Sequence, residues 1–479
     1  MSKESEHMSI GNKQNKSSKH LKRKLEPRHI QMIALGGTIG VGLFMGSAST
    51  IKWTGPSVLI AYSIAGVFLY LIMRALGEII YVHPVEGSFA QFANMYMHPV
   101  FGYLTAWANI FQYVVVGMSE VIAIGTYMHF WWPNLPGWIP GLIAILFLCA
   151  ANLTSVGAFG ELEYWFALIK VVTIILMLVA GFGLIVFGIG NGMHPIGISN
   201  IWKYGFFTGG VKGFFFALAI VLASYQGIGL VGVAAGEAEN PRHTLVKAVQ
   251  STVYRILIFY IGAIFVIVSI YPWNKLNDIG SPFVETFAKL GITIAAGIIN
   301  FVVVTAALSG SNSGIYSASR MSYLLARNHE LPRFMMRLNK HGVPCVAVIM
   351  ISLGIMMGVV LNVVLPIFFK GANEVFVMVY SSSVLPGMVP WFVILISEII
   401  FRKRYGKKIK SHPFRMPFSP YSNYLTLAFL VVTVGFMFLN SETRVPLIIG
   451  MAFLIIMTIV YFVKYSDKDK EAPKLFKTK

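Results

Sequence analysis

Twelve long apolar runs, separated by short polar segments, constrain this 479-residue chain more than any other feature. A helix needs about 20 mostly apolar residues to cross a bilayer. Backbone in lipid must satisfy its own hydrogen bonds, so such runs predict membrane-spanning α-helices. The prediction is an all-α polytopic membrane protein with twelve transmembrane helices. The runs lie approximately at Ile30–Ile51, Pro56–Ile80, Phe101–Phe130, Gly137–Asn152, Tyr164–Gly188, Gly210–Ala235, Val253–Tyr271, Phe283–Leu308, Val343–Leu361, Val375–Ile400, Tyr421–Leu439 and Val445–Val463.

The formal charge of +19 is distributed in a way that predicts topology. Of the 38 Lys and Arg residues, 29 fall in five stretches, at 1–28, 242–255, 320–340, 402–415 and 464–479. Cytoplasmic loops of membrane proteins collect Lys and Arg, and twelve spans place every one of these stretches on the same side. We therefore expect both termini in the cytoplasm, the lipid bilayer as a partner, no nucleic acid and no obligatory protein partner.

The first and sixth runs contain glycine clusters. They read Gly36-Gly37-Thr38-Ile39-Gly40-Val41-Gly42 and Ser224-Tyr225-Gln226-Gly227-Ile228-Gly229. Each glycine costs a helix about 1 kcal/mol relative to alanine, and unwound backbone at membrane depth is tolerated only inside protein or beside a cavity. Breaks at matching places in two five-helix halves indicate an inverted-repeat transporter. Gly36 and Gly40 alone would also fit close helix packing.

Several motifs resemble those of amino acid permeases of the amino acid–polyamine–organocation superfamily. The resemblance extends from about Lys24 to Tyr465 and is strongest to bacterial threonine/serine–proton symporters, with proline permeases next. It implies a 5+5 inverted-repeat, leucine-transporter-like core of ten helices at 28–408 with broken helices 1 and 6, helices 11 and 12 at 409–465, and cytoplasmic tails at 1–27 and 466–479. The motifs are Arg28–Phe44, Tyr164–Lys170, Ala234–Pro241, Ser309–Gly314 and Leu385–Trp391.

The substrate that this resemblance implies is a free amino acid, carried across a bacterial cell membrane. The exposed N-terminus of a half-helix in the first run suits the substrate carboxylate. Carbonyl groups released by unwinding suit the substrate ammonium. The candidate carboxylate-binding residues are Thr38, Gly40 and Gly42, and the candidate residues for accepting hydrogen bonds from the ammonium are Ile39, Ala223, Ser224 and Gln226.

Two ionisable residues inside the predicted spans are candidates for proton coupling, with the proton as the coupling ion and no cofactor or metal. Lys170 stands at a motif where, by resemblance, sodium-coupled relatives bind sodium. A lysine whose head group reaches the membrane surface is the alternative. Glu120 is the second candidate, and a carboxylate that only joins two helices is its alternative. Arg74 and Glu78, one turn apart, are predicted to form an i,i+4 ion pair.

One position departs from the family pattern. Many members carry glutamate in a Gly-x-Glu pattern where this chain has Gly227-Ile228-Gly229. Without that carboxylate, either Glu120 carries the coupling or the protein exchanges amino acids without concentrating them. A permease for proline, D-alanine, D-serine or glycine is a further alternative.

Other classes have little support in the sequence. The sequence contains no Gly-x-x-x-x-Gly-Lys-Ser/Thr motif, which would indicate an ATP-driven pump. It also contains no paired acid/base or metal-ligand pattern, which would indicate a membrane enzyme. A passive channel would favour a continuous polar pore, whereas broken helices at mid-membrane favour alternating access.

Overall fold

The computed structural model describes residues 25–36, 39–85, 87–234, 256–278, 283, 293–364 and 372–465. Within these ranges the chain is mostly helical and forms no β-sheet beyond isolated bridges. The prediction of an all-α protein is therefore confirmed for the described part of the chain.

The helices follow one another with short connections, several of which are 3₁₀ turns. In chain order they are α1 Pro27–Gly36, α2 Val41–Phe44, α3 Gly46–Thr54, α4 Val58–Val82, α5 Ser88–Tyr96, α6 Pro99–Met128, α7 Trp138–Thr154, α8 Val156–Phe187, α9 Asn200–Lys203, α10 Gly210–Tyr225, α11 Leu230–Ala234, α12 Ala263–Ile270 (preceded by a π-helical stretch, Ile256–Gly262), α13 Thr293–Arg327, α14 Cys345–Val364, α15 Ala372–Ser382, α16 Val384–Tyr405, α17 Tyr421–Leu439 and α18 Ser441–Lys464.

In the described ranges, nine helical stretches are long and apolar enough to cross a membrane, and Trp138–Thr154 and Ile258–Ile270 are shorter apolar helices. One of the nine, Val41–Val82, has 42 residues. At 1.5 Å per residue it would be about twice as long as a bilayer core is thick. It is interrupted at Gly55, whose φ of 65° lies in the left-handed region. The chain is thus a polytopic helical membrane protein.

Helix α6 lies at the centre of the molecule. It packs against α5, α7, α13, α14, α15, α16 and α18. In its most apolar window 78% of residues are buried, whereas the corresponding shares for α17 and α18 are 33% and 22%. The last two helices are therefore peripheral, and their exposed side chains, among them Ile448, Ile455 and Ile459, are apolar enough to contact lipid.

The predicted ion pair between Arg74 and Glu78 is wrong. Glu78 is instead bound by Arg402, whose Nε and Nη2 atoms donate to the two carboxylate oxygens at 2.9 and 2.7 Å. Arg402 also contacts Glu398 at 2.6 Å. The planar guanidinium of Arg402 satisfies both oxygens of Glu78 at once, while Arg74 lies 3.8 Å from the ring centroid of Phe414.

Candidate functional site

The first predicted span is broken where the glycine cluster lies. Helix α1 ends at Gly36 and α2 begins at Val41, with Gly40 in an extended conformation at φ −122° and ψ −169°. The predicted break in this span is confirmed. The first residues of a helix have N–H groups with no partner inside that helix, so they can donate to acceptors from elsewhere; in α2 the Leu43 N–H donates to the Gly40 carbonyl at 3.1 Å.

Lys170, on α8, holds the two sides of this break together. Its Nζ atom donates hydrogen bonds to the carbonyl oxygens of Gly36 at 2.6 Å and Ile39 at 2.8 Å, and to Ser309 Oγ at 2.8 Å. An ammonium has three donors, and here each has an acceptor. The side chain is 0% exposed, so Lys170 is not a lysine whose head group reaches the membrane surface.

The hydrogen-bond network continues from Ser309 to Glu163, one of two residues at the site that the sequence analysis missed. Ser309 Oγ donates to Glu163 Oε1 at 2.5 Å, and Asn312 Nδ2 donates to Glu163 Oε2 at 3.2 Å. Asn152 Nδ2 in turn donates to Asn312 Oδ1 at 2.8 Å. Glu163 precedes Lys170 by seven residues, two helical turns, and that spacing on one helix face is the signal that would have identified it.

Glu120, on α6, lies at the other side of the break. It is 2% exposed, and a Cβ atom at Gly40 would lie 3.1 Å from its Oε1 atom. The backbone N–H of Val41 hydrogen-bonds to this carboxylate, which also interacts electrostatically with Lys170. Its Oε2 atom has no hydrogen-bond partner in the described part of the chain. A carboxylate thus already faces the N-terminus of α2.

The two glycine-rich spans meet at Gly42. A Cβ atom there would overlap the hydroxyl of Tyr380 and lie 2.9 Å from Ser224 Oγ. Tyr380, on α15, is the second residue at the site that the sequence analysis missed, because nothing distinguishes it from other aromatics in an apolar run. Backbone amides, a serine and a tyrosine hydroxyl therefore converge around one glycine.

The sixth predicted span is less unwound than expected. Helix α10 passes directly into a 3₁₀ turn, Gln226–Gly229, and then into α11. The carbonyl of Ala223 accepts from the backbone N–H of Gln226, and that of Ser224 accepts from the Tyr260 hydroxyl at 3.2 Å. In this conformation those two carbonyls are not free, contrary to the expectation for an unwound segment, because the 3₁₀ turn and Tyr260 satisfy them.

Gln226 faces different neighbours. Its Nε2 atom donates to the carbonyl of Val384 at 2.8 Å, and its Oε1 atom has no partner in the described ranges. It lines a cavity of about 10 Å³, room for about one water molecule, together with Asn109, Gln112 and Gly229. A Cβ atom at Gly229 would meet nothing closer than Phe89 Cε1 at 3.8 Å.

Most of the predicted site residues are therefore close together. Ile39, Gly40, Lys170 and Glu120 surround the break, and Gly42 connects it to Ser224. Ala223 is buried beside Ser224, Gln226 lies at the separate small cavity, and Thr38 lies outside the described residues.

The amino acid permease family model matches residues 29–474 of the chain. Over 448 residues the chain is 59% identical to the probable threonine/serine transporter YbxG of Bacillus subtilis (strain 168), covering 93% of this chain and 96% of that protein. It is 46% identical over 459 residues to the uncharacterized amino acid permease YtnA of the same organism, covering 95% and 98%. It is 40% identical over 445 residues to the amino-acid permease AapA, also from that organism, covering 93% and 95%.

Proposed function

Because this chain belongs to the amino acid permease family, a family of transporters rather than enzymes, we propose that it imports small neutral amino acids of the threonine/serine type by proton symport. The relative with 59% identity is named as a probable threonine/serine transporter, which supports this substrate class. Proline, or D-alanine, D-serine and glycine, are the alternative substrates, and uncoupled exchange is the alternative mode.

The observation that carries the proposal is the meeting of the N-terminus of α2 with Ser224 and Tyr380 around Gly42. Backbone N–H groups at a helix N-terminus favour an anion, here the substrate carboxylate. Neighbouring hydroxyl groups are suited to a small substrate with its own hydroxyl group. A Cβ atom at Gly42 would already overlap the Tyr380 hydroxyl, so Tyr380 and Ser224 would have to move apart to admit a substrate, and a small amino acid requires the smaller movement.

Glu120 supplies a physical reason for proton coupling. Its carboxylate faces the same helix N-terminus at which a substrate carboxylate would bind. Two ionised carboxylates in one buried site repel each other, and one of them then retains a proton. Binding of an amino acid therefore favours protonated Glu120, and the proton travels with the substrate.

Lys170 supplies the connection to conformational change. Its ammonium joins the end of α1 to Ile39 across the break and reaches α13 through Ser309. A change in its protonation alters three contacts between these elements at once. We place Lys170 and Glu120 together in the coupling machinery on this basis.

The architecture proposed for this activity is a twelve-helix chain whose first ten helices form a 5+5 inverted repeat. Both termini would lie in the cytoplasm of a cell whose plasma membrane the protein spans. Alternating access would then arise from movement of the broken helices relative to α6, α8 and α13. A passive channel is less well supported, because the polar groups around Lys170 are almost fully buried rather than arranged along an open pore.

The experiment is uptake of radiolabelled threonine into proteoliposomes, with and without an imposed pH gradient and with an uncoupler. Saturable uptake that rises with the gradient and collapses with the uncoupler is expected. Competition by a panel of unlabelled amino acids then identifies the substrate. Non-saturable uptake that ignores the uncoupler would favour a channel.

A further inference from the structure

We propose that Glu163 is the group that exchanges a proton with Lys170, and that the hydroxyl of Ser309 carries the proton between them. This inference rests on the proposed proton symport and assigns a residue and a route to it. Glu163 acts through Lys170 and contacts no substrate-binding residue in the described structure, so it is a positioning residue for the transport reaction.

The direction of the hydrogen bonds supports a proton relay. Lys170 Nζ donates to Ser309 Oγ at 2.8 Å, and the same Ser309 Oγ donates to Glu163 Oε1 at 2.5 Å. Donor, relay and acceptor therefore form a continuous chain. All three side chains are 0% exposed, so water does not compete for these contacts.

The step balances without any further reactant. The Lys170 ammonium gives one proton to Ser309 Oγ while the Ser309 hydroxyl gives its own proton to Glu163 Oε1. The products are a neutral amine, an intact hydroxyl and a carboxylic acid. An ammonium and a carboxylate, separated by the Ser309 hydroxyl, have become an amine and a carboxylic acid, with no change in the total charge of the site.

This proton transfer changes the strength of the hydrogen bonds that Lys170 makes to the broken helix. Hydrogen bonds from a charged donor are about twice as strong as those between neutral groups. The ammonium therefore holds the carbonyls of Gly36 and Ile39 firmly, and the neutral amine, with only two N–H donors, holds them weakly. Proton transfer to Glu163 would thus weaken the hydrogen bonds through which Lys170 connects α1 to the backbone that leads into α2.

The other groups around Lys170 support separate roles for Glu163, as the partner in proton exchange, and Glu120, as the acid that responds to substrate. The carbonyls of Gly36 and Ile39 face it from the broken span, Glu120 faces it from α6, and Glu163 and Ser309 complete its surroundings. With one cation and two carboxylates in a buried site, one carboxylate is in excess. Glu120 has the unpartnered oxygen within the described ranges, so it is the acid that responds to substrate.

Asn312 and Asn152 keep Glu163 in position. Asn312 donates to the second carboxylate oxygen of Glu163, and Asn152 holds the Asn312 side chain from α7. Glu163 is therefore oriented from both sides, with one oxygen directed to the relay. This built environment distinguishes it from a carboxylate that only fills a helix interface.

The test compares Glu163→Gln with Glu161→Gln in proteoliposomes. Glutamine keeps the size and an acceptor oxygen but cannot store the proton. Glu161 lies on the same helix and is half-exposed. It pairs with Arg28 and His29, which are outside this network. Two quantities are measured: accumulation of labelled threonine driven by a pH gradient, and counterflow exchange, which needs no net proton movement.

We expect Glu163→Gln to lose gradient-driven accumulation while retaining counterflow, and Glu161→Gln to keep both. Gradient-driven accumulation by Glu163→Gln equal to that of the wild type would overturn the inference. Absence of both activities in the wild type would instead overturn the proposed function, so the two failures are distinguishable.

A second variant decides the matter if Glu163→Gln does not fold. Ser309→Ala leaves both charged groups in place and removes the relay together with the two hydrogen bonds that the hydroxyl makes. Ser311→Ala on the same helix is its control, because the Ser311 hydroxyl has no hydrogen-bond partner in the described part of the chain. We expect Ser309→Ala to lose the pH dependence of accumulation and Ser311→Ala to retain it. An unchanged pH profile in Ser309→Ala would overturn the relay.

Discussion

The Lys170 ammonium donates a hydrogen bond to the carbonyl of Gly36, the last residue of α1, at 2.6 Å. A cation at this point is favourable because the C-terminal end of a helix carries partial negative charge and unsatisfied carbonyls. The same ammonium reaches Ile39 beyond the end of the helix. One buried lysine therefore stabilises the interruption on which the proposed site depends.

Lys170→Ala is expected to lose concentrative uptake or its pH dependence. The substitution leaves three buried acceptors without their donor and removes the cation near the buried carboxylates of Glu163 and Glu120; leaving a buried charge uncompensated costs about 3–5 kcal/mol. Thermal unfolding in detergent measures the loss of stability, and threonine uptake across acidic to alkaline pH measures the function. Wild-type accumulation at every pH would contradict the role given to Lys170.

Gly40→Val and Gly42→Val are expected to abolish uptake while expression in the membrane persists. A side chain at Gly42 would overlap the Tyr380 hydroxyl, and one at Gly40 would crowd Glu120 Oε1. Gly435→Val is the control, since a Cβ atom at Gly435 meets nothing within 4 Å. Normal affinity for threonine in either of the first two variants would rule out this carboxylate site.

Gly229→Glu is expected to be tolerated and to steepen the pH dependence of uptake, because it restores the carboxylate found in many family members. The position has space, because the nearest atom to a Cβ there is Phe89 Cε1 at 3.8 Å, whereas a Cβ atom at Gly232 would lie 2.9 Å from Ser88 Oγ. Gly232→Glu is therefore expected to fail. Uptake with and without a pH gradient is the measurement, and loss of folding or an unchanged gradient response in Gly229→Glu would show that glycine is structural there.

Arg402→Met is expected to destabilise the protein by about 3–5 kcal/mol, because it leaves two buried carboxylates, Glu78 and Glu398, without their shared cation. The neighbouring Lys403→Met is the control, since Lys403 is exposed. Thermal unfolding of both variants in detergent is the measurement. Equal stability of the two variants would mean that the ion-pair cluster contributes little.

The sequence predicted the parts of the fold that depend on local composition. Apolar length predicted a polytopic helical membrane protein, for which the described ranges show nine helical stretches of membrane-spanning length. Glycine clustering predicted the break before Val41, and both properties belong to a single segment. The Arg74–Glu78 pair was predicted wrongly because Arg402, more than 300 residues away in the chain, is the partner that the fold supplies. Local spacing contains no information about such a partner.

The candidate site shows the same limit. Lys170 and Glu120 were identified because charge is rare in a span, but their environment depends on how α6, α8 and α13 pack together. Tyr380 could not be distinguished from other aromatics in its run. Glu163 could have been found, since its spacing from Lys170 places both on one helix face, yet its link through Ser309 exists only in the folded chain.

Proton movement accompanying threonine entry tests the central claim most directly. A pH-sensitive dye is trapped inside proteoliposomes, threonine is added outside without any imposed gradient, and the internal pH is followed. We predict internal acidification that depends saturably on threonine and is absent in Lys170→Ala. Threonine uptake by the wild type with no change in internal pH would contradict proton symport.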